Sequence, residues 1–385
     1  MKGRPRWEVA DVFRLYGEAY RHAHRLPSAH LKVLRAIEAC RTIALGGHVE
    51  QCDTCGFTRQ SYNSCRNRHC PKCQALAKAQ WLAAREAELL PVPYFHTVFT
   101  LPHELNALAL CNKKPVFDIL FRSVSETLLT FAENDLGGKL GITSILHTWD
   151  QKLNTHIHLH CAIPGGALSS DGKSWIPSHP AFLFPVKALS PVFRGKFLDH
   201  LKSAHAKGHL AVPDAQALEA LVASLYKTNW VVYSKPAFAG PRVVLDYFGR
   251  YTHRIAIANH RILNVAGGQV AFAYRDRRDD NRKKIMTLAA DEFIRRFLLH
   301  TVPSSFKRIR HSGFLASRAK KNDLARCRDL LGVPTAIPEP EQKSPQEELL
   351  DLTGVDLGAC PSCQNGRLRI TAEIPVQPLP FWNSS

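Results

Sequence analysis

A short run of alternating histidines carries the clearest chemical signal in the sequence. Residues 155–161 read THIHLHC. Strict alternation over this length predicts a β-strand, because successive side chains of a strand point to opposite faces. His156, His158 and His160 are therefore expected on one face, with apolar side chains on the other. Alternate imidazoles on a strand lie roughly 6–7 Å apart, so two of them can share one divalent ion.

A third ligand is expected from the preceding strand, which is predicted over residues 141–150. His147, Asp150 and Gln151 stand near its end, and Gln151 is the preferred candidate. The spacing does not decide which two of the three histidines share the ion. Imidazole also suits zinc, so the spacing alone does not identify the ion.

Two CxxC pairs predict structural zinc. Cys52 and Cys55 form the first pair and Cys70 and Cys73 the second, with fourteen residues between them. This spacing is close to that of a zinc ribbon or treble clef, and four thiolates complete a closed tetrahedral site.

Other cysteines and histidines extend the zinc prediction. Candidates for a second ion, which could instead be buried thiols and hydrogen-bonded imidazoles, are Cys40, His48, Cys65 and His69. A late CxxC pair, Cys360 and Cys363, supplies half of a further site. Its expected partners are His311 and Cys327, or another chain.

A pair of tyrosines supplies candidate nucleophiles. Tyr247 and Tyr251 are four residues apart, so a helix would present both on one face. Gly249 between them lowers helix propensity by about 1 kcal/mol. Such pairs are often core aromatics, but beside a metal site a phenol can attack a phosphodiester and retain the phosphate.

The charge balance points to nucleic acid. The 385 residues include 51 Lys+Arg and 33 Asp+Glu, giving a net charge of +18 and a pI near 9.6. Basic side chains gain affinity by displacing counterions from phosphates. The sequence has neither an apolar stretch of about 20 residues nor the pattern of a signal peptide. We therefore expect no membrane association and a cytoplasmic, nucleoid-associated protein whose eleven cysteines are metal ligands or thiols.

Basic residues near the zinc pairs and in the carboxy-terminal third are candidate DNA contacts. Arginine and lysine beside a zinc knuckle suit phosphates, and interleaved basic and aromatic residues suit single-stranded DNA. The alternative is a solvated charged surface. The candidates are Arg66, Arg68, Lys72, Lys307, Arg308 and Arg310.

These residues require a scaffold of alternating helical and extended stretches. Helices are expected within residues 9–40 and at 75–90, 104–111, 115–136 and 288–299. Strands are expected at 94–102, 141–150, 155–163, 230–233, 254–257, 261–265 and 269–274, the last ones completing an antiparallel sheet. The predicted domains are residues 1–90, 91–275, 276–332 and a linker with a CxxC tail at 333–385.

Taken together, His158 and His160 followed by Tyr247 and Tyr251 resemble the HUH endonucleases. The closest likeness is to the two-tyrosine transposases of the insertion sequence 91 family, whose zinc-binding domain is similar to the region Cys52–Cys73. The likeness covers nearly the whole chain, with further blocks at 147–149, 164–166, 259–261 and 309–315. It implies an α+β fold: an HUH-nuclease domain with a central antiparallel sheet flanked by helices. A small zinc-ribbon or treble-clef-like domain would precede this domain, and a basic helical region would follow it.

The resemblance also implies a reaction. Tyr247 and Tyr251 would cleave and rejoin single-stranded DNA at element ends and in target DNA through 5′-phosphotyrosine intermediates, with Arg250 and Arg254 as phosphate clamps. Mg²⁺ or Mn²⁺ would bind a histidine pair that begins at His156 or at His158, with His158 and His160 favoured, and Zn²⁺ would be structural. The alternatives are a plasmid replication initiator or relaxase, a metal-dependent hydrolase, and a zinc DNA-binding regulator without enzymatic activity.

Overall fold

A computed structural model describes residues 5–212, 214–238, 243, 249, 256–276, 278–337 and 343–377. The chain has a mixed α/β fold with antiparallel sheets. The helices in the described ranges are α1 (Val9–Ala23), α2 (Ser28–Ala39), α3 (Gln74–Glu86), α4 (Asn106–Cys111), α5 (Lys113–Phe131), α6 (Val186–Ala206), α7 (Ala215–Lys227), α8 (Ala290–Leu299), α9 (Lys320–Leu330) and α10 (Pro345–Thr353). The strands are β1 (Gly47–Cys52), β2 (Thr58–Tyr62), β3 (Tyr94–Thr100), β4 (Gly138–Lys139), β5 (Gly141–Trp149), β6 (Thr155–Pro164), β7 (Gly166–Ser169), β8 (Trp175–Pro177), β9 (Val232–Phe238), β10 (Ile262–Ala266), β11 (Gln269–Asp276), β12 (Arg282–Ala289), β13 (Ile309–Gly313) and β14 (Leu368–Ile374).

A five-stranded antiparallel sheet forms the centre of the molecule. Its strand order is β13-β5-β6-β3-β9, so the histidine strand β6 lies in the middle. The odd-numbered side chains Ile157, Leu159 and Cys161 are fully buried in a core shared with α5, α6 and α7. The period-two prediction for this strand is therefore confirmed, and its histidines are left on the opposite face.

A second core lies between α1, α2, α8 and the three-stranded sheet β10-β11-β12. Phe13 of α1 meets Phe297 of α8 edge to face, with ring centroids 5.3 Å apart. Trp149 and Leu153, at the end of β5 and in the following turn, join this core. Packing therefore crosses the boundaries expected at residues 90 and 275.

The strands expected at residues 261–265 and 269–274 are confirmed as the antiparallel pair β10 and β11, but they form a separate sheet and do not extend the central one. β11 pairs along its whole length with β12, a strand that was not expected and whose last two residues were assigned to a helix. The expected strand at 254–257 falls partly outside the described residues, and its described part, Ala256 and Ile257, is not in a strand.

The predicted helical stretch 9–40 is two helices. α1 ends before Pro27, whose missing N–H and fixed φ are incompatible with a continuous helix interior. After α2 the chain enters a small sheet of order β14-β1-β2, in which β14 of the carboxy-terminal tail pairs with β1. No helix in the described ranges is long and apolar enough to cross a bilayer.

Candidate active site and metal centres

Three buried imidazoles converge on the face of the central sheet opposite the core with α5, α6 and α7. His147 comes from β5 and stands opposite His158 of β6, with His160 two residues further along. Their ligand nitrogens lie within 4.8 Å of one another, and the Nε2 atoms of His158 and His160 are 3.1 Å apart. We call this group the histidine triad. Its geometry suits one shared metal ion.

The third member of the triad is His147, one of the three candidates expected near the end of β5, and the preferred candidate Gln151 lines the same cleft as the triad. Gln151 follows β5 in a turn, where its carbonyl oxygen accepts a hydrogen bond from Arg261 Nη2 at 2.5 Å. His156 also lies outside the triad. Its carbonyl oxygen accepts a hydrogen bond from His158 Nδ1 at 2.9 Å, which leaves His158 Nε2 as the nitrogen with a lone pair.

His96 is a site residue that the sequence reading missed. It lies on β3, 2% exposed, and its Nε2 is 2.8 Å from Nδ1 of His160. Burial lowers the pKa of His96 to about 4, so its ring is neutral at neutral pH. The available signal was a histidine inside the otherwise apolar and β-branched stretch Tyr94–Thr100.

The triad opens into a cleft of about 440 Å³ between the central sheet and the β11–β12 hairpin. Arg275 and Arg278 of the hairpin are exposed and line this cleft, as does Lys152 of the turn after β5. Arg261 also lines it, but its guanidinium is held by the carbonyl oxygens of Ala273 and Gln151. Four cationic side chains thus line the cleft together with the carboxylates of Asp150 and Asp276, which leaves an excess of positive charge.

The predicted nucleophiles lie outside the described residues. This applies to Tyr247 and Tyr251 and also to Arg250 and Arg254. Gly249, between the tyrosines, is described and buried. A Cβ atom there would lie 2.8 Å from Leu82 Cδ1 of α3, so this glycine allows its backbone to pack closely against the helix.

The cysteines form two groups rather than the single site expected from Cys52, Cys55, Cys70 and Cys73. The first group consists of Cys40, Cys65, Cys70 and Cys73. Its Sγ atoms are 3.5 Å apart for Cys40 and Cys73 and 3.6 Å for Cys65 and Cys73. Hydrogen bonds among these thiols lower the pKa of Cys40 and Cys73 and raise the pKa of Cys65 and Cys70, so the four thiols share their protons as one group.

The second group joins Cys52 and Cys55 to Cys360 and Cys363. The partners expected for the late pair lie elsewhere: His311 is 3.0 Å from Thr143 Oγ1, and Cys327 is buried in an apolar cluster. The single-site grouping fails because β14 brings the tail to β1, a long-range pairing that local spacing does not reveal. His48 lies 3.7 Å from Glu50, and His69 is buried outside both groups.

Several predicted DNA contacts are engaged inside the protein. Lys72 forms an ion pair with Glu8, and Arg308 is 8% exposed, with its pKa lowered to about 10 by burial. Arg310 pairs with Asp118 and lies over the ring of Phe121.

The remaining three candidates are more open. Arg66 and Lys307 are exposed, and Arg68 is half-buried. The cleft residues Arg275, Arg278 and Lys152 were not among the predicted contacts.

Comparison with known proteins identifies the family. Residues 12–101 match a family described as a transposase zinc-binding domain, and residues 141–323 match one described as "Putative transposase". The chain is 51% identical over 381 residues to "Putative transposase y4qJ" of Sinorhizobium fredii (strain NBRC 101917 / NGR234), covering 95% of each protein. It is 28% identical over 313 residues to "Transposase for insertion sequence element IS801" of Pseudomonas savastanoi pv. phaseolicola, covering 79% of this chain and 74% of that protein. No solved structure matches the chain. On the strength of both matched regions and of a relative similar along nearly its whole length, the chain belongs to the insertion sequence 91 family of transposases.

Proposed function

We propose that this transposase is an HUH-type endonuclease that cuts and rejoins single-stranded DNA at element ends through 5′-phosphotyrosine intermediates. The histidine triad is the observation that carries the proposal. Three imidazoles from two adjacent strands face an open, basic cleft, where a metal ion could meet a phosphate. In this proposal residues 91–275 perform the chemistry, while residues 1–90 and 276–332 contact DNA.

The donor set of the triad fits a divalent transition-series ion. The ligand nitrogens converge, and among the described residues no carboxylate belongs to the group. Imidazole is a poorer ligand for Mg²⁺, which prefers oxygen. Of the two expected ions, the triad therefore favours Mn²⁺. When bound, such an ion would polarise the scissile phosphate and offset charge in the transition state.

The proposed nucleophiles are Tyr247 and Tyr251. The phenol oxygen of one tyrosine forms a bond to phosphorus, the P–O3′ bond breaks, and the leaving oxygen takes up a proton as the phenol loses one. The resulting ester keeps the energy of the phosphodiester, so a free 3′-hydroxyl can reverse the step without ATP. Two tyrosines allow two strands to be held at once.

The cations of the cleft support single-stranded DNA as the substrate. Arg275, Arg278 and Lys152 lie at the same opening as the triad. Their charges can hold a sugar–phosphate backbone across the imidazoles. Arg250 and Arg254 remain the proposed clamps beside the tyrosines.

Covalent trapping tests the proposal. Wild-type protein is incubated with labelled single-stranded element-end DNA and Mn²⁺ or Mg²⁺, and a denaturing gel is run for a protease-sensitive adduct. We expect adduct with the wild type, more with Mn²⁺, and none with Tyr247→Phe/Tyr251→Phe. The single variants His147→Ala, His158→Ala and His160→Ala should lose at least 100-fold in adduct rate, because transition-state charge stabilisation of this kind is worth about 10²–10³.

Matched controls separate chemistry from folding. His103→Ala removes an imidazole outside the triad whose side chain is 88% exposed, and Tyr226→Phe removes a phenol that is exposed on α7. Both should form adduct as the wild type does. DNA binding by a folded wild-type protein without adduct, for both element ends and both ions, would overturn the nuclease and favour a DNA-binding regulator.

A further inference from the structure

We propose that Cys52, Cys55, Cys360 and Cys363 hold a second structural Zn²⁺ ion, which fastens the carboxy-terminal segment to the amino-terminal zinc-binding region. The thiols of Cys55 and Cys360 come together across 305 positions of sequence. The inference does not depend on the nuclease chemistry, because none of these four thiols belongs to the histidine triad.

The sulfur geometry fits tetrahedral zinc. Sγ of Cys52 is 3.7 Å from Sγ of Cys363, and Sγ of Cys55 is 3.6 Å from Sγ of Cys360. Zn–S bonds of about 2.3 Å in a tetrahedron separate neighbouring sulfurs by about 3.8 Å. A disulfide would need about 2.05 Å. All four Sγ atoms lie within 4.8 Å of one another, so one ion can reach them all.

The local backbone of both CxxC turns is arranged around the sulfurs. The amides of Thr54 and Cys55 donate to Sγ of Cys52 at 3.4 Å, and the amide of Gly366 donates to Sγ of Cys363 at 3.3 Å. Such amide donors stabilise the thiolate form that binds a metal.

Gly366 allows the two turns to approach. A Cβ at this position would lie 2.3 Å from Sγ of Cys52 and 2.8 Å from Oγ1 of Thr54. Any larger residue would push the late turn away from the early one. The glycine is thus explained by the closeness that a shared ion requires.

Backbone contacts fix the same approach on both sides of the sulfurs. β14 pairs with β1 from Gly47 opposite Ile374 to Cys52 opposite Leu368. Asp53 donates its amide to the carbonyl oxygen of Arg367, and its carboxylate accepts from the amide of Arg367 at 2.8 Å. The tail therefore completes the metal-binding unit as its third strand and second CxxC turn.

Metal content is the direct test. Purified full-length protein is analysed for zinc by mass spectrometry, and cobalt-substituted protein is examined for thiolate-to-Co²⁺ charge-transfer absorption. We expect Cys360→Ser/Cys363→Ser to hold one zinc equivalent fewer than the wild type and to give about half of its charge-transfer absorption, to which the imidazoles of the histidine triad do not contribute. Cys65→Ser/Cys73→Ser should also lose one equivalent, and the exposed Cys111→Ser, outside both groups, should lose none.

A rescue variant distinguishes the loss of a zinc ligand from misfolding of the protein. Cys363→His can still ligate zinc, so it should restore the second equivalent that Cys363→Ser loses. Equal zinc content and equal charge-transfer absorption in the wild type and the Cys360→Ser/Cys363→Ser protein would overturn the second site.

The proposed zinc-dependent link between the tail and the amino-terminal zinc-binding region can be tested separately. A protease site inserted within residues 338–342 allows the tail to be cut from the folded protein. We expect the tail fragment to remain bound while zinc is present and to separate after chelation or in Cys52→Ser/Cys55→Ser. Separation with zinc bound, or retention in both treatments, would contradict a zinc-dependent link.

Discussion

Whether the histidine triad can bind a metal ion depends on which nitrogen of each ring carries the proton. His158 donates from Nδ1 to a backbone carbonyl oxygen, so its Nε2 keeps the lone pair. His160 can present Nε2 in the same way only if its Nδ1–H donates to Nε2 of His96. A neutral His96 with its proton on Nδ1 can accept that bond. We therefore regard His96 as a positioning residue for His160.

Changing His96 tests this role. His96→Phe fills the volume without an acceptor, whereas His96→Gln keeps an amide oxygen. We expect the phenylalanine variant to need about 10–100-fold more Mn²⁺ for half-maximal adduct, as for other orienting partners of metal ligands. The glutamine variant should need less of an increase. An equal shift in both variants would indicate loss of packing instead.

His300 makes the stability of the fold dependent on pH. The ring is fully enclosed, with Nε2 3.0 Å from the carbonyl oxygen of Leu153, and burial lowers its pKa to about 4. The unfolded chain takes up a proton near pH 6.5 while the folded chain does not. Stability is therefore intact above about pH 6.5 and falls as the pH drops towards 4.

The prediction concerns how the pH dependence of the free energy of unfolding differs between the His300→Gln variant and the wild type. Replacing His300 by Gln should remove up to about 1.4 kcal/mol per pH unit of this dependence, whatever the variant does to stability at pH 7.5. Urea unfolding at pH 7.5, 6 and 5 measures it. His103→Gln, at a side chain that is 88% exposed, is the control and should leave the profile unchanged. Parallel profiles for His300→Gln and wild type would contradict the prediction.

At the scale of elements, Gly313 allows the edge strand β13 to lie close against β5, because it has no Cβ atom. Gly313 has φ +63°, and a Cβ there would lie 1.6 Å from the carbonyl oxygen of Leu140. Gly332 has φ +69° with nothing within 4 Å of such an atom. Both substitutions to alanine incur left-handed strain of about 1–2 kcal/mol, but only the first also collides with backbone.

We expect Gly313→Ala to lower the free energy of unfolding by clearly more than Gly332→Ala does. The clash cannot be relieved by a side-chain rotation, so β13 must move away from β5 and lose pairing. Denaturant midpoints of the two variants measure the difference. Equal losses of unfolding free energy in the two variants would mean that β13 can shift away from the clash with little loss of stability.

The same elements show what a sequence can and cannot predict. β6 was recognised because one face is wholly apolar, which makes its alternation visible. β12 was missed because Lys284 takes an inward position and Ile285 is 65% exposed, so the alternation is masked. His147 was one of three candidates for the third ligand, but only the register between β5 and β6 shows that it stands opposite His158. That register is a tertiary property.

At the scale of the molecule, long-range pairing governs the metal sites. The three CxxC pairs and the isolated cysteines are local signals, but which thiols come together depends on where β14 lies. The tail reaches β1, and α1 and α2 pack on α8 and the β10–β12 sheet. The histidine strand β6 thereby lies between an apolar core on one face and the cleft with the basic hairpin on the other.

The hairpin gives the last prediction, which concerns the net charge of +18 and its placement. Arg275 and Arg278 stand exposed at the cleft, whereas Lys207 and Lys227 are equally exposed at the ends of α6 and α7, behind the opposite face of the central sheet. If the cleft holds single-stranded DNA, each lost contact with a phosphate should reduce the slope of log affinity against log salt by about 0.7.

Arg275→Gln/Arg278→Gln should therefore weaken binding and lower the steepness of that slope by about 1.4. Lys207→Gln/Lys227→Gln makes the same change in net charge and should leave the slope nearly unaltered, because those side chains face away from the cleft. Fluorescence anisotropy with a labelled oligonucleotide over a salt series measures both. Equal effects of the two pairs would show that binding follows total charge rather than the cleft, and the DNA path would then have to be sought on another surface.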